Sequence, residues 1–347
     1  MIVVKFSLFL FYILTSNSQS IPVNYRMLTP LIRIQLDVNT PFQYQISPNI
    51  TIIANNTQVF HNFNIVNLSN FTSQHFSGMS SMVFTYNPLL ITTFPFVKDF
   101  PEHADATLKL FLDALALFKT TTNTKLKDGP RIIQSLTAQP LILGLVIRGS
   151  DDTSDFQGKR YPLSVNELDE FRNFYNKLVQ YTKTKENKIL PAIDFYSKAS
   201  RHFDITEKFI FLSLSLESLF SKESDELSYR FSNRISLLLG NSFEEREKIA
   251  KSIKNVIYQR RSKIVHGTDL SPPSEDEYEY LNEVIRVSIL RYLSLINNGI
   301  LNPIDELDSF LLKQNTHEYD EFKKKSLLAF SILSELKFQN IRKKPSK

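Results

Sequence analysis

Glu226-Leu-Ser-Tyr-Arg230-Phe-Ser-Asn-Arg234-Ile-Ser-Leu-Leu-Leu-Gly240 runs directly into Asn241-Ser242-Phe-Glu-Glu245. A helical pattern stops at a glycine, the residue best suited to end a helix. Two positions later a Ser-x-x-Glu capping box starts the next helix. The device recurs at Ser274-Glu-Asp-Glu277, after Gly267 and Pro272-Pro273 close the helix between. Connections this short make consecutive helices antiparallel neighbours in a bundle.

Working outward, the middle helix carries Ile249, Ile253, Val256, Ile257 and Ile264 on its apolar side. The next presents Tyr280, Leu281, Val284, Val287, Ser288 and Tyr292. Upstream, Ile205 to Phe220 is strongly apolar and is expected at the centre of the bundle. Leu190 to Ser200 predicts another helix, and from Ser164 the stripe Leu168, Phe171, Phe174, Tyr175 and Leu178 predicts one more. From Asn302 two amphipathic segments lead to a solvated basic end, Arg342-Lys-Lys-Pro-Ser-Lys347.

The first third of the chain differs in composition. Up to residue 98 the cations are Lys5, Arg26, Arg33 and Lys98, and the acid is Asp37. Runs such as Ile32-Arg-Ile-Gln-Leu36, Ile50-Thr-Ile-Ile53 and Phe63-Asn-Ile-Val66 read as strands, punctuated by Asn-Asn, Asn-Pro and Ser-Gly pairs. Pro101 to Lys119 reads as a helix with Leu108, Phe111, Leu112, Leu115 and Phe118 in one stripe. Asp128-Gly-Pro130 is a turn, Leu141 to Ile147 a buried strand, and Gly149 to Gly158 a polar linker. The expected class is α+β. A β-rich N-terminal domain spans 1–155, an all-α antiparallel helical bundle 156–300, and a C-terminal helical extension with a basic tail 301–347.

The chain has 347 residues, with hydrophobic residues at 42% and charged residues at 22%, the balance of a globular protein rather than a disordered one. A formal net charge of +5 fits a nucleic-acid partner without demanding one. No cysteine is present, which excludes disulfides and thiolate metal sites. His61, His75, His103, His202, His266 and His317 never pair at HxxxH spacing, so no metal and no cofactor are expected. No phosphate loop, nucleophile elbow or paired-carboxylate motif stands out. Met1 to Leu14 reads either as a signal peptide or as a buried strand. The apolar run is too short to span a bilayer, so no membrane is expected. A cytoplasmic location is expected, with export the alternative.

The chemistry-bearing stretch is Tyr258-Gln259-Arg260-Arg261-Ser262-Lys263-Ile264-Val265-His266-Gly267. Arg261 can hold a phosphate through a planar pair of N–H donors, and His266 can move a proton near neutral pH. RNA brings its own nucleophile, the 2′-hydroxyl, so a phosphate clamp and proton-transfer groups suffice for cleavage. His266 also reads as a helix C-terminal cap. Arg260 and Lys263 are phosphate-steering, RNA-binding cations or solvated ones. Glu217, in an otherwise apolar helix, pairs with a buried arginine such as Arg230 or Arg234, or orients Arg261. His202 and Tyr258 read as core or rim residues.

Residues 188 to 300 resemble the Apea-like branch of the HEPN superfamily. The resemblance lies in Leu214-Ser-Leu-Glu217-Ser-Leu-Phe220, in Glu226 to Gly240 and in Arg261 to Gly267, taken in that order and spacing. It implies a four-helix core and metal-independent endoribonuclease activity, in toxins or antiviral-defence effectors. Two copies of the Arg–His motif would meet across a homodimer, with Arg261 on the scissile phosphate and His266 in proton transfer. Many active members place Asn, Asp or His after the arginine; here it is Ser262. Some members are catalytically silent and bind RNA or a protein partner. An exported protein with a purely structural bundle is a third reading.

Overall fold

A computed structural model describes residues 24–32, 34–38, 40, 42–54, 88–95, 100–119, 127–128, 131–135, 142–146, 161–182, 189–202, 204–221, 227–268, 271–300, 302–312 and 316–327. The apolar N-terminal run Met1–Leu14, the expected strand at Phe63–Val66, the expected linker at 149–158 and the basic end lie outside them. The architecture is α+β: an antiparallel sheet precedes a long series of helices. The chain forms two compact units, residues 1–112 with 123–176, and 113–122 with 177–347.

In the first unit the strands are β1 (Asn24–Ile32), β2 (Ile34–Leu36), β3 (Phe42–Ser47), β4 (Ile50–Ala54), β5 (Leu89–Pro95), β6 (Lys127–Asp128), β7 (Arg131–Ser135), β8 (Ile142–Val146) and β9 (Tyr161–Leu163). The main sheet has the order β3-β4-β5-β1-β7-β8, with β6 also paired to β1. These pairings are antiparallel, with Leu28 opposite Ile91 and Ile52 opposite Leu90. β3 alternates exposed and covered residues, as a strand with one wet face does. In β4 the successive residues Ile52, Ile53 and Ala54 are all buried, so both faces are covered. β2 and β9 form a separate parallel pair. Helix α1 (Phe100–Phe118) reaches this unit through residue 112, and helix α2 (Leu168–Thr182) through residue 176. Phe111 meets Phe171 edge-on at 5.4 Å. Ser164 and Glu167 form a full capping box just before α2.

The second unit holds α3 (Ile189–Arg201), α4 (Ile205–Phe220), α5 (Leu227–Leu239), α6 (Phe243–Ser252), α7 (Gln259–Val265), α8 (Glu275–Asn297), α9 (Pro303–Leu312) and α10 (Thr316–Leu327). The stripes expected on α1, α2 and α8 are buried. The centre is α8 rather than α4, because every residue from Val284 to Leu295 is buried. Its polar members are matched to backbone. Arg286 donates to the carbonyls of Leu117 and Phe118, Arg291 to those of Leu238 and Leu239, and Ser294 to that of Lys325. Asp204 caps α4 by accepting from the N–H groups of Thr206 and Glu207.

The helix stop at Gly240 has a steric cause. A Cβ there would lie 2.7 Å from Arg246 Cγ and 2.9 Å from its backbone nitrogen, so only glycine lets α6 leave α5 this tightly. The carbonyl end of α5 is held by Lys323, Tyr319 and Arg291, with Arg246 stacked 4.2 Å over the Tyr319 ring. Cations at a helix C-terminus complement its dipole. Of the two expected capping boxes, Ser274–Glu277 is complete. At Ser242 the hydroxyl accepts from Glu245 N–H, while the Glu245 carboxylate accepts from Asn241 N–H instead.

Candidate functional site

Between α6 and α7 the helix does not break. Ile253–Tyr258 is a π-helical segment, and Gln259 N–H reaches back to Lys254 O. Its i→i+5 bonds widen the turn. Residues four apart, which drift around an ordinary α-helix, therefore stay close to one face. Ile249, Ile253 and Ile257 are all buried, and Arg261 is the next in that series. Such segments recur at functional sites. Ile264, expected on the same face, is only half-buried, and the side chain of Val256 lies outside the described ones.

Arg261 is held from α4. Its Nη2 donates to Glu217 Oε2 at 3.2 Å, with the two side chains 28% and 22% exposed. Arg261 Nε is buried and has no acceptor among the described residues. Burial raises the Glu217 carboxyl above the ordinary carboxylate range, and Arg261 opposes this in part. Glu217 thus orients Arg261 instead of pairing with Arg234. Arg234 donates to both carboxylate oxygens of Asp308 on α9, at 2.6 and 2.8 Å, and to the Phe220 carbonyl at 2.7 Å.

His266 caps α7. Its N–H donates to Ser262 O at 3.0 Å, and Gly267 follows at φ 66°, the left-handed conformation that favours glycine. Gly267 N–H to Ile264 O and Thr268 N–H to Lys263 O complete a Schellman end. The residue is exposed, so its imidazole is presented to solvent while its backbone does the capping. Five residues of helix separate Arg261 from His266 by about 140° of rotation and about 7.5 Å of rise.

Arg260 turns away from Arg261. Its Nη2 donates to the Ser271 carbonyl at 2.8 Å, the Ser271 hydroxyl at 3.0 Å and the Pro272 carbonyl at 3.1 Å, and its Nε lies 4.0 Å from Glu277. It ties the loop after α7 to the start of α8. Lys263 is exposed and Ser262 half-buried. The structure therefore brings Glu217 to Arg261, leaves His266 and Lys263 at the exposed end of α7, and commits Arg260 elsewhere.

Two polar side chains had no role in the sequence reading. Lys208 is buried in the first turn of α4, with Nζ 5.2 Å from the centre of the Tyr278 ring, and desolvation lowers its pKa. A lysine inside Ile205–Phe220 was the available signal. Asp308 has no sequence signal linking it to Arg234, 74 residues earlier. Among the described residues no three His, Asp or Glu side chains group as a metal site needs. No described helix is long and apolar enough to cross a membrane. No family model, curated protein or solved structure matches the chain.

Proposed function

We propose that this chain is a metal-independent endoribonuclease of the HEPN type, with Arg261 binding the scissile phosphate and His266 transferring a proton. The observation that carries the reading is the Glu217–Arg261 pair on α4 and α7, one helix end away from an exposed histidine. A half-buried guanidinium that gives one N–H to Glu217 has further donors with which to take an anion. Charge that grows on phosphate oxygens during cleavage is stabilised by such a fork. The resemblance carries over a homodimeric assembly and a toxin or antiviral-defence role.

The test is incubation of the full chain with RNA in the presence of a chelator. Fragments should carry a 2′,3′-cyclic phosphate and a 5′-hydroxyl, the mark of attack by the 2′-oxygen. His266→Ala should abolish cleavage and leave the fold intact, because the cap is made by backbone groups. Arg261→Ala should be nearly as damaging, and Arg261→Lys should rescue poorly, since a point charge lacks the planar fork. Cleavage that survives His266→Ala would place the site elsewhere. The second reading is a silent RNA-binding module. It draws on Ser262 and on the carboxylate already seated against Arg261, and a wild type that binds RNA without cutting it selects that reading.

A further inference from the structure

Cleavage by the 2′-oxygen needs two proton movements, and His266 is one group for them. A phosphate on Arg261 would fix where the reacting oxygens lie, so the second group belongs beside that guanidinium. Glu217 is there. Its Oε2 is 3.2 Å from Arg261 Nη2, and any phosphate oxygen held by the same guanidinium at about 2.8 Å lies next to the carboxylate.

Three features separate this carboxylate from a simple structural partner. Arginine offers five N–H donors, yet one long bond joins the pair. The Arg261 side chain is 28% exposed, so part of it beyond the bond to Glu217 faces solvent. Burial also makes the carboxylate a stronger base than one in water, and Arg261 is the charged group that acts on it.

We propose that Glu217 is the general base of the cleavage site, taking the 2′-hydroxyl proton while Arg261 holds the phosphate and His266 protonates the leaving oxygen. This rests on the ribonuclease reading above and extends it by supplying both proton-transfer groups from one chain. The Glu217 carboxylate accepts the proton as the 2′-oxygen bonds to phosphorus. The bond from phosphorus to the 5′-oxygen breaks, and protonated His266 gives that oxygen its proton. The products are a 2′,3′-cyclic phosphate and a 5′-hydroxyl. Glu217 ends protonated and His266 neutral, and exchange with water restores both. Pairing with a second protein copy is then not required to complete the proton count.

The experiment compares the full-length wild type with Glu217→Gln and Glu217→Asp. It follows kcat against pH on a short RNA, and equilibrium binding of a 2′-O-methyl oligonucleotide, which has no nucleophile. Glu217→Gln should lower kcat by about 10²–10⁴-fold, the usual contribution of a general base. It should bind the oligonucleotide as tightly as wild type or more tightly, because a neutral amide competes less for Arg261. The acidic limb of its pH–rate profile should vanish, and Glu217→Asp should keep that limb at a reduced rate. Cleavage by Glu217→Gln at the wild-type rate overturns the proposal. So does loss of oligonucleotide binding in step with cleavage, which makes Glu217 a holder of Arg261 only. If Glu217→Gln does not fold, Glu217→Asp decides, and loss of the acidic limb there counts against the base. A wild type that never cuts RNA refutes the ribonuclease reading itself and this inference with it.

Discussion

Arg260, Arg261 and Lys263 are near neighbours with three different environments, and each predicts a different phenotype. Arg260 is 14% exposed and spends its guanidinium on the Ser271–Pro272 backbone. Arg260→Ala should cost about 0.5–1.5 kcal/mol of stability, since the exposed Ser271 and Pro272 carbonyls lose the donor that ties the loop to α7. It should leave the salt dependence of RNA binding unchanged. Lys263 is exposed. Lys263→Ala should leave the thermal midpoint alone and, if that lysine meets a phosphate, reduce the slope of log affinity against log salt by about one. Thermal melts and a salt titration of both variants read the two effects separately. A reversed pattern would mean that the loop contact of Arg260 is dispensable. The sequence showed a run of cations but not their division of labour, because Ser271 and Pro272 attract Arg260 through backbone carbonyls, which every residue has.

At the scale of elements, the π-helical segment sets which way Arg261 faces. The four-residue spacing of Ile249, Ile253 and Ile257 was visible in the sequence. The widened turn that keeps them on one face was not, because a pattern of apolar residues does not reveal which carbonyl each N–H chooses. Deleting Asn255, which is exposed, removes the extra residue of the wide turn and should let an ordinary α-helix form. The wide turn has already absorbed that residue, so the helix after it keeps its direction and Arg261 still meets Glu217. Helix content by circular dichroism and cleavage should therefore both be retained. A deletion variant that folds but no longer cleaves would show that Arg261 does not depend on the π turn in this way. Helix α8 gives the complementary lesson. Its capping box and apolar face were legible, but its central position depends on Arg286 and Arg291 finding carbonyls 169 and 53 residues away. Charged residues in a sequence read as surface until such partners are known.

At the scale of the molecule, buried tyrosines and one buried lysine set how stability varies with pH. Burial raises Tyr181, Tyr278, Tyr280, Tyr292 and Tyr319 of the second unit to about 12 from 10. A folded-state value above the unfolded one gives stability that is complete below pH 10 and lost as pH rises toward 12. Lys323 works the other way. Its pKa is depressed by burial and then by Arg291 and Arg246, with Glu245 opposing, so its contribution improves as pH climbs to 10.5. Denaturation midpoints of the second unit should therefore fall steeply above pH 10. Lys323→Met should remove the rise below it, and a flat profile from pH 9 to 12 would contradict the burial of these tyrosines.

Composition changes near residue 98, the polar, glycine-bearing stretch 149–158 reads as a linker, and the sheet and the helices were both legible in outline. The sequence did not show that residues 113–122 group with the later helices. Asp113 is buried and accepts from Arg201 at 2.8 Å, Ala116 O accepts from the Tyr196 hydroxyl, and Leu117 O and Phe118 O accept from Arg286, itself 3% exposed. No local pattern announces these bonds, because they join side chains to a helix end 80 or more residues earlier. A fragment of residues 156–347 keeps every helix from α2 onward but strips Arg286 of both carbonyls. Arg286 keeps its ion pair with Glu283, but each hydrogen bond lost from a buried charged donor costs about 1.5–3 kcal/mol. That is a large share of a domain's total stability of roughly 5–15 kcal/mol. The 156–347 fragment should lack a cooperative thermal transition, whereas a fragment starting at Phe100 should keep one. The check is far-ultraviolet circular dichroism on heating, with hydrogen exchange at α8 as the local readout. If 156–347 melts as sharply and at the same temperature as the longer fragment, the end of α1 is not part of the helical core.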